Sequence, residues 1–218
     1  MMNTLELESV RYEINGRKIL SDVYLKMETG KVTALAGRNG EGKTSLFRIM
    51  YGTLVPETGA VFSNKVRLSK QAYKIEGLIS FLPQVSFIPG YLRIAAVFNL
   101  FSVPMDDLLA FFPEFRYREK QRFGDLSGGE QRLLEAFLVI KAPTLFTILD
   151  EPFTHLMPVH VERLMEVITA EKQRKGFLIA DHQLQQVLAL SDSFYYLRAG
   201  IVTQTDAAIL VDTFGMYR

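Results

Sequence analysis

Cysteine is absent from the 218 residues. That excludes disulfides, thiolate metal sites and cysteine nucleophiles, and it fits a reducing compartment. A surplus of either charge is also missing. Lys and Arg total 25 against 24 Asp and Glu, a formal net charge of +1, so nothing global attracts nucleic acid or an acidic membrane surface. Long apolar runs are wanting too. A membrane helix needs roughly 18 uninterrupted apolar residues, and the most apolar stretch, 94–109, is broken by Asn99, Ser102, Pro104, Asp106 and Asp107. The start, Met1-Met2-Asn3-Thr4-Leu5-Glu6, lacks the basic residues and apolar run of a secretion signal. The expectation is a soluble chain that needs a partner for any role at a membrane.

What is present is ordinary in bulk, with 48% hydrophobic and 22% charged residues. The length suits one domain, or one with a small subdomain, and permits a substantial core. Short apolar runs at 32–36, 145–149 and 177–180 read as strands buried on both faces, and they alternate with helical stretches. The pattern predicts an α/β fold with a mostly parallel core sheet. Leu5, Leu7 and Val10 are interleaved with Glu6, Glu8 and Arg11, which suits a half-exposed N-terminal antiparallel strand. Residues 194–198, then Ala199-Gly200 and Ile201-Val202, read as a terminal hairpin, with the chain ending soon after it. Helix is expected over 158–172, where Pro158 suits a first helical position and Val161, Leu164, Met165 and Ile168 recur at helical spacing. Between about 86 and 122 the text changes to aromatic-rich pieces punctuated by Pro89-Gly90, Pro104 and Pro113. The division expected is a single domain over 1–218, with a core at about 1–85 and 123–218 and a short helical subdomain inserted at 86–122.

Strand 32–36 runs into Gly37-Arg38-Asn39-Gly40-Glu41-Gly42-Lys43-Thr44, with a helix expected from Ser45. This is G-x-x-x-x-G-K-[ST] in the strand–loop–helix setting that phosphate binding requires. Glycines let the backbone wrap a phosphate with its N–H groups inward, and the helix start adds a favourable dipole. Lys43 would reach the terminal phosphates, and the Thr44 hydroxyl would complete part of a Mg²⁺ shell.

The run 145–149 ends in Asp150-Glu151-Pro152. An apolar strand that delivers carboxylates to the carboxyl edge of a parallel sheet puts them where such sheets bind ligands. Asp150 can hold Mg²⁺ through water, and Glu151 can accept a proton from attacking water. Taken alone the pair also fits a plain strand-terminal turn. Leu126-Ser127-Gly128-Gly129-Glu130-Gln131-Arg132 precedes an apolar helix at 133–140. Ser127 and Glu130 have capping-box spacing. An ordinary capped helix explains those two and leaves Gly128 and Gly129 as a cost, unless a ligand approaches the backbone closely there.

The phosphate loop, Gln84 within Phe81-Leu82-Pro83-Gln84, the Leu126-to-Arg132 stretch, Asp150-Glu151 and His182 occur in the order seen in ABC (ATP-binding cassette) ATPases, and the chain resembles that family over about 5–202. The resemblance implies ATP and Mg²⁺ as bound species, with Thr44, Gln84 and Asp150 at the metal. It implies Glu151, His182, Gln84 and Lys43 in catalysis, His182 contacting the γ-phosphate. It also implies a head-to-tail dimer, of this chain or with a related cassette, in which Ser127, Gly128, Gly129 and Glu130 of one subunit close on the partner's ATP. Tyr12 is similar to the aromatic that stacks on adenine; the other reading is an ordinary strand aromatic packing on the core. His155 and His160 have no such counterpart.

The sequence departs from the family in three places. Met157 stands where the loop after the acidic pair usually ends in aspartate. The helix text Leu133-Leu134-Glu135-Ala136-Phe137 lacks the usual small and basic pattern, and the span from Gln84 to Leu126 is short. What the resemblance implies for the whole is the ATP-hydrolysing subunit of a transporter, on the cytoplasmic face of the membrane through a separate membrane-spanning subunit. The other readings are a soluble ABC ATPase acting on nucleic acid or ribosomes, and a low-turnover nucleotide-binding regulator. Near-zero charge and the lack of a basic arm count against nucleic acid. The aromatics of the 86–122 block are either core or, where exposed, a groove for a partner's short helix.

Overall fold

The structure, a computed structural model, describes residues 2–215. In chain order the elements are β1 (Thr4–Ile14), β2 (Arg17–Glu28), β3 (Val32–Ala36), α1 (Lys43–Tyr51), β4 (Thr58–Ser63), β5 (Val66–Arg67), β6 (Ile79–Leu82), α2 (Ile94–Leu100), α3 (Met105–Phe111), α4 (Gly128–Lys141), β7 (Phe146–Asp150), α5 (Pro158–Lys172), β8 (Gly176–Ala180), α6 (Leu184–Leu190), β9 (Ser193–Arg198), β10 (Ile201–Thr205) and α7 (Ala207–Gly215).

β1 and β2 form a hairpin through Asn15 (φ 51°) and Gly16 (φ 76°). Two successive residues at positive φ match the right-handed twist of paired strands, which is why Asn-Gly is favoured there. With β4 and β5 they make a four-stranded sheet in the order β2-β1-β4-β5, antiparallel throughout. The second sheet runs β10-β9-β3-β8-β7-β6, parallel except for the β9–β10 hairpin at its edge. Every position of β3, β7 and β8 is buried, as continuous apolar text requires of strands covered on both faces.

Three boundaries differ from the sequence reading. α1 begins at Lys43, two residues earlier than expected, so Lys43 and Thr44 lie in its first turn. β7 is displaced by one residue and includes Asp150 as its last position. α4 starts at Gly128, so both glycines are inside the helix, behind a complete Ser127–Glu130 capping box. The chain also continues beyond the hairpin into α7.

One face of the parallel sheet packs on α4, α5 and the 86–122 block as a continuous core that includes Phe98, Phe112, Phe115 and Phe123. The other face packs on the antiparallel sheet and α1. Phe98 stacks on Phe137 of α4 at 6.3 Å between centroids, and Phe112 meets the same ring edge-on at 5.9 Å. The large apolar residue at 137, a departure in the sequence, therefore fills the joint between α4 and the helical block. Most aromatics of the block are core; Phe87, Tyr91 and Tyr117 remain exposed. Fully buried Lys175 donates from Nζ to the carbonyls of Ile140 (2.7 Å) and Ala142 at the end of α4. It satisfies helix-end acceptors there, and burial pushes its ammonium down to about 7. No single helix among the described residues is long and apolar enough to cross a membrane.

Candidate nucleotide site

The loop between β3 and α1 is shaped by two glycines at positive φ, Gly40 (80°) and Gly42 (107°). Gly42 carries a second restriction, since a Cβ there would come within 2.8 Å of Ile19 Cγ2. Gly37 packs against the Leu197 carbonyl, and the Glu41 carboxylate accepts the Ala199 N–H at 2.6 Å. The loop is thus fastened to the terminal hairpin. Lys43 Nζ donates to the carbonyls of Gly37 (2.7 Å) and Arg38 (3.1 Å), which centres its ammonium inside the loop. Burial pulls its pKa down, and Asp150, Glu151 and Glu41 pull it back up.

A cleft of about 430 Å³ is lined by Asn39, Gly40, Gly42, Lys43, Thr44, Ser45, Gln84, Asp150 and Glu151, with Ile14 and Ile19 as its apolar wall. Its acidic floor comes from the carboxyl end of β7. Thr44 Oγ1 donates to Asp150 Oδ2 at 2.8 Å. Burial raises the Asp150 pKa against that bond and the nearby Lys43. Glu151 sits at φ 54°, a left-handed conformation uncommon outside glycine. Its N–H donates to the Ala180 carbonyl at 2.7 Å. The turn brings Glu151 Oε1 within 2.8 Å of His182 Nε2. Asp181, beside that histidine, accepts the N–H groups of Phe153 (2.8 Å) and Gln183 (2.9 Å), pinning the segment after β8 to the loop after β7.

Gln84, Lys43, Thr44, Asp150 and Glu151 thus share one cleft, and His182 adjoins it. Ser127, Gly129 and Glu130 do not line it. They border a separate hollow of about 530 Å³ with Arg118, His155 and Met157. Glu130 completes the capping box and pairs with Arg118 at 2.6 Å. Gly129 lies under the His155 backbone, whereas Gly128 faces open space. Close approach by this chain's own loop therefore accounts for one of the two glycines. Met157, 57% exposed, is the N-cap residue of α5 and supplies no side-chain cap. His160 is a packing residue, 3.0 Å from Glu114.

Tyr12 is partly buried against the core beneath the antiparallel sheet, and Ile14 and Ile19 line the cleft. The register between β1 and β2 slips on both sides of Tyr12, so simple alternation does not give its face. Four further residues were absent from the sequence reading of the site: Ile14, Ile19, Arg132 and Glu135. Glu135 did leave a signal, a lone acid in the apolar run 133–140. Such an acid is buried only when paired.

Comparison with known proteins gives the family. The ABC transporter family model matches residues 20–154. The lipopolysaccharide export system ATP-binding protein LptB of Escherichia coli K12 is 30% identical over 97% of this chain and 94% of its own length. The high-affinity branched-chain amino acid transport ATP-binding protein BraG of Pseudomonas aeruginosa is 27% identical over 88% and 89%. A solved ATP-binding subunit of an ABC transporter superposes with a TM-score of 0.82 at 22% identity, covering 97% of this chain and 93% of that one. With its phosphate loop, strand-end carboxylates and capped serine–glycine–glycine helix so arranged, this chain belongs to the ABC transporter family, as an ATP-binding domain.

Proposed function

We propose that the chain hydrolyses ATP and that hydrolysis drives a separate membrane-spanning subunit. The observation that carries the reading is the Glu151 carboxylate. It sits at the end of a phosphate-loop cleft, 2.8 Å from His182, one residue beyond the carboxylate that bonds Thr44. Glu151 accepts a proton from the attacking water. His182, 53% exposed on its side chain, holds the carboxylate and meets the terminal phosphate. Lys43 and the loop N–H groups bind the phosphates.

Thr44, Asp150 and Gln84 offer only oxygen donors on the protein side and a single carboxylate among them. That set suits Mg²⁺, which keeps several waters and shares the substrate's phosphates rather than filling an all-protein cage. When bound, the ion neutralises charge on the transferring phosphoryl group.

Ser127 and Gly128 lie off this cleft, and a head-to-tail dimer would bring them to the partner's nucleotide. For the membrane subunit, exposed Val85, Phe87, Tyr91 and Leu100 supply an apolar surface beginning one residue after Gln84. LptB and BraG are named for different transported species, and what they share with this chain is the motor.

The test is Glu151→Gln. It should retain ATP binding, slow turnover by about 10²–10⁴-fold, and accumulate an ATP-dependent dimer visible by light scattering. Ser127→Arg added to it should remove that dimer. Wild-type turnover in Glu151→Gln would sink the hydrolysis assignment.

A further inference from the structure

Arg132 and Glu135, one turn apart in α4, are 7% and 1% exposed. Burying a charged pair is costly unless each group finds further partners. Nearly all of theirs are backbone atoms, in two loops that border the cleft. Arg132 Nη1 donates to the Pro83 carbonyl at 2.7 Å. Its Nη2 donates to the carbonyls of Asp150 and Glu151, the latter at 2.9 Å, and Nε reaches Glu151 O at 3.3 Å. Glu135 Oε1 accepts the Ser86 hydroxyl at 2.6 Å and the N–H groups of Phe87 (3.0 Å) and Ile88 (3.4 Å). The two side chains face each other at 3.8 Å.

From these contacts we infer that Arg132 and Glu135 are a positioning pair for hydrolysis, tying the serine–glycine–glycine helix at once to the Glu151 turn and to both sides of Gln84. The inference rests on the proposed ATPase reading.

Glu151 is at φ 54°, and such a conformation costs on the order of 1–3 kcal/mol and persists only where its surroundings hold it. On one side the Glu151 N–H is anchored to Ala180, on the other its carbonyl is held by Arg132. The guanidinium therefore helps fix where the carboxylate points. Gln84 and Val85 are exposed, but the segment is tethered through Pro83 to Arg132 and through Ser86, Phe87 and Ile88 to Glu135. Gln84 hangs from α4 at both ends. A shift of α4 produced at its Ser127 end is passed to the base and to Gln84 together, because one buried pair holds both. The fork geometry matters, since the guanidinium spreads its donors over Nε, Nη1 and Nη2 in a rigid plane, whereas lysine offers all of its donors from one atom.

No atom of the pair touches the phosphate loop in these contacts, so binding and turnover should separate. In full-length protein, Arg132→Ala should lower kcat by about 10²-fold, the order that a 1 Å misplacement costs. KM and the affinity for ATP should stay near wild type. Arg132→Lys should fall between, and Glu135→Gln, which keeps size but loses charge, should lower kcat about tenfold. Because Arg132 is argued to act largely through Glu151, Arg132→Ala should add little further loss in a Glu151→Gln background. Rates are normalised to nucleotide-binding sites, so that unfolded protein is not counted. Wild-type kcat in folded Arg132→Lys and Glu135→Gln would overturn the proposal. So would a full additional loss in the double variant, which marks a purely structural role. Should Arg132→Ala not fold, those two milder variants decide. Glu151→Gln alone, run beside them, reports separately on the hydrolysis reading.

Discussion

A Cβ built on Gly129 would meet the His155 carbonyl oxygen at 2.7 Å, whereas one on Gly128 meets nothing within 4 Å. The contact at Gly129 is with backbone and cannot be relieved by a rotamer change. Gly129→Ala should therefore cost about 1–3 kcal/mol, read as a lower unfolding midpoint. Gly128→Ala should be neutral or stabilising by up to about 1 kcal/mol, the helix penalty of glycine relative to alanine. Equal destabilisation by both would contradict the geometry. A sequence pair that looks like one ligand-facing feature thus divides into a packing residue and an open one. Ile14 teaches the same lesson. The register of β1 slips on both sides of Tyr12, so spacing along the strand does not say that Ile14 borders the cleft.

Elements show where sequence reading is dependable. Pro158–Lys172 is helical to the residue as read, because a proline at the first position and apolar residues at helical spacing are local signals. What the helix lacks is also local. Met157 has extended backbone (φ −69°, ψ 150°), makes no capping bond, and is followed by a first turn without an acid. Aspartate at that position accepts an N–H of the first turn and opposes the helix dipole. Met157→Asp should stabilise the protein by about 1 kcal/mol, measured as a rise in denaturation midpoint with an unchanged slope. No rise would mean that the loop cannot adopt cap geometry.

For the whole molecule, the docking surface proposed for the membrane subunit lies on the exposed part of the 86–122 block. Phe98, Phe112 and Phe115 are spent on the shared core, so they are poor probes of a docking surface. Tyr91, 75% exposed, and Leu100, 71% exposed, are suitable. With the genomic neighbours co-expressed, Tyr91→Glu and Leu100→Glu should each reduce membrane recovery of the subunit while its thermal melting stays as in wild type. Recovery unaffected by both changes would place the partner elsewhere. The buried aromatics of the block belong to one core with α4, where Phe98 and Phe112 close on Phe137.

The patterns that are contiguous in the chain were legible from the sequence alone. The phosphate-loop glycines with Lys43 and Thr44, the Asp150-Glu151 strand end and the Ser127–Glu130 cap are each set within a few residues of one another, so spacing suffices to recognise the pattern. The parallel sheet was legible for a related reason, since strands covered on both faces must be apolar at every position. Only the tertiary structure decided what depends on segments distant in sequence. It brought the His155 backbone over Gly129 and drew Pro83, Asp150 and Glu151 to one guanidinium. Those contacts are made to backbone atoms, which every residue carries alike, and through-space packing alone selects which of them meet.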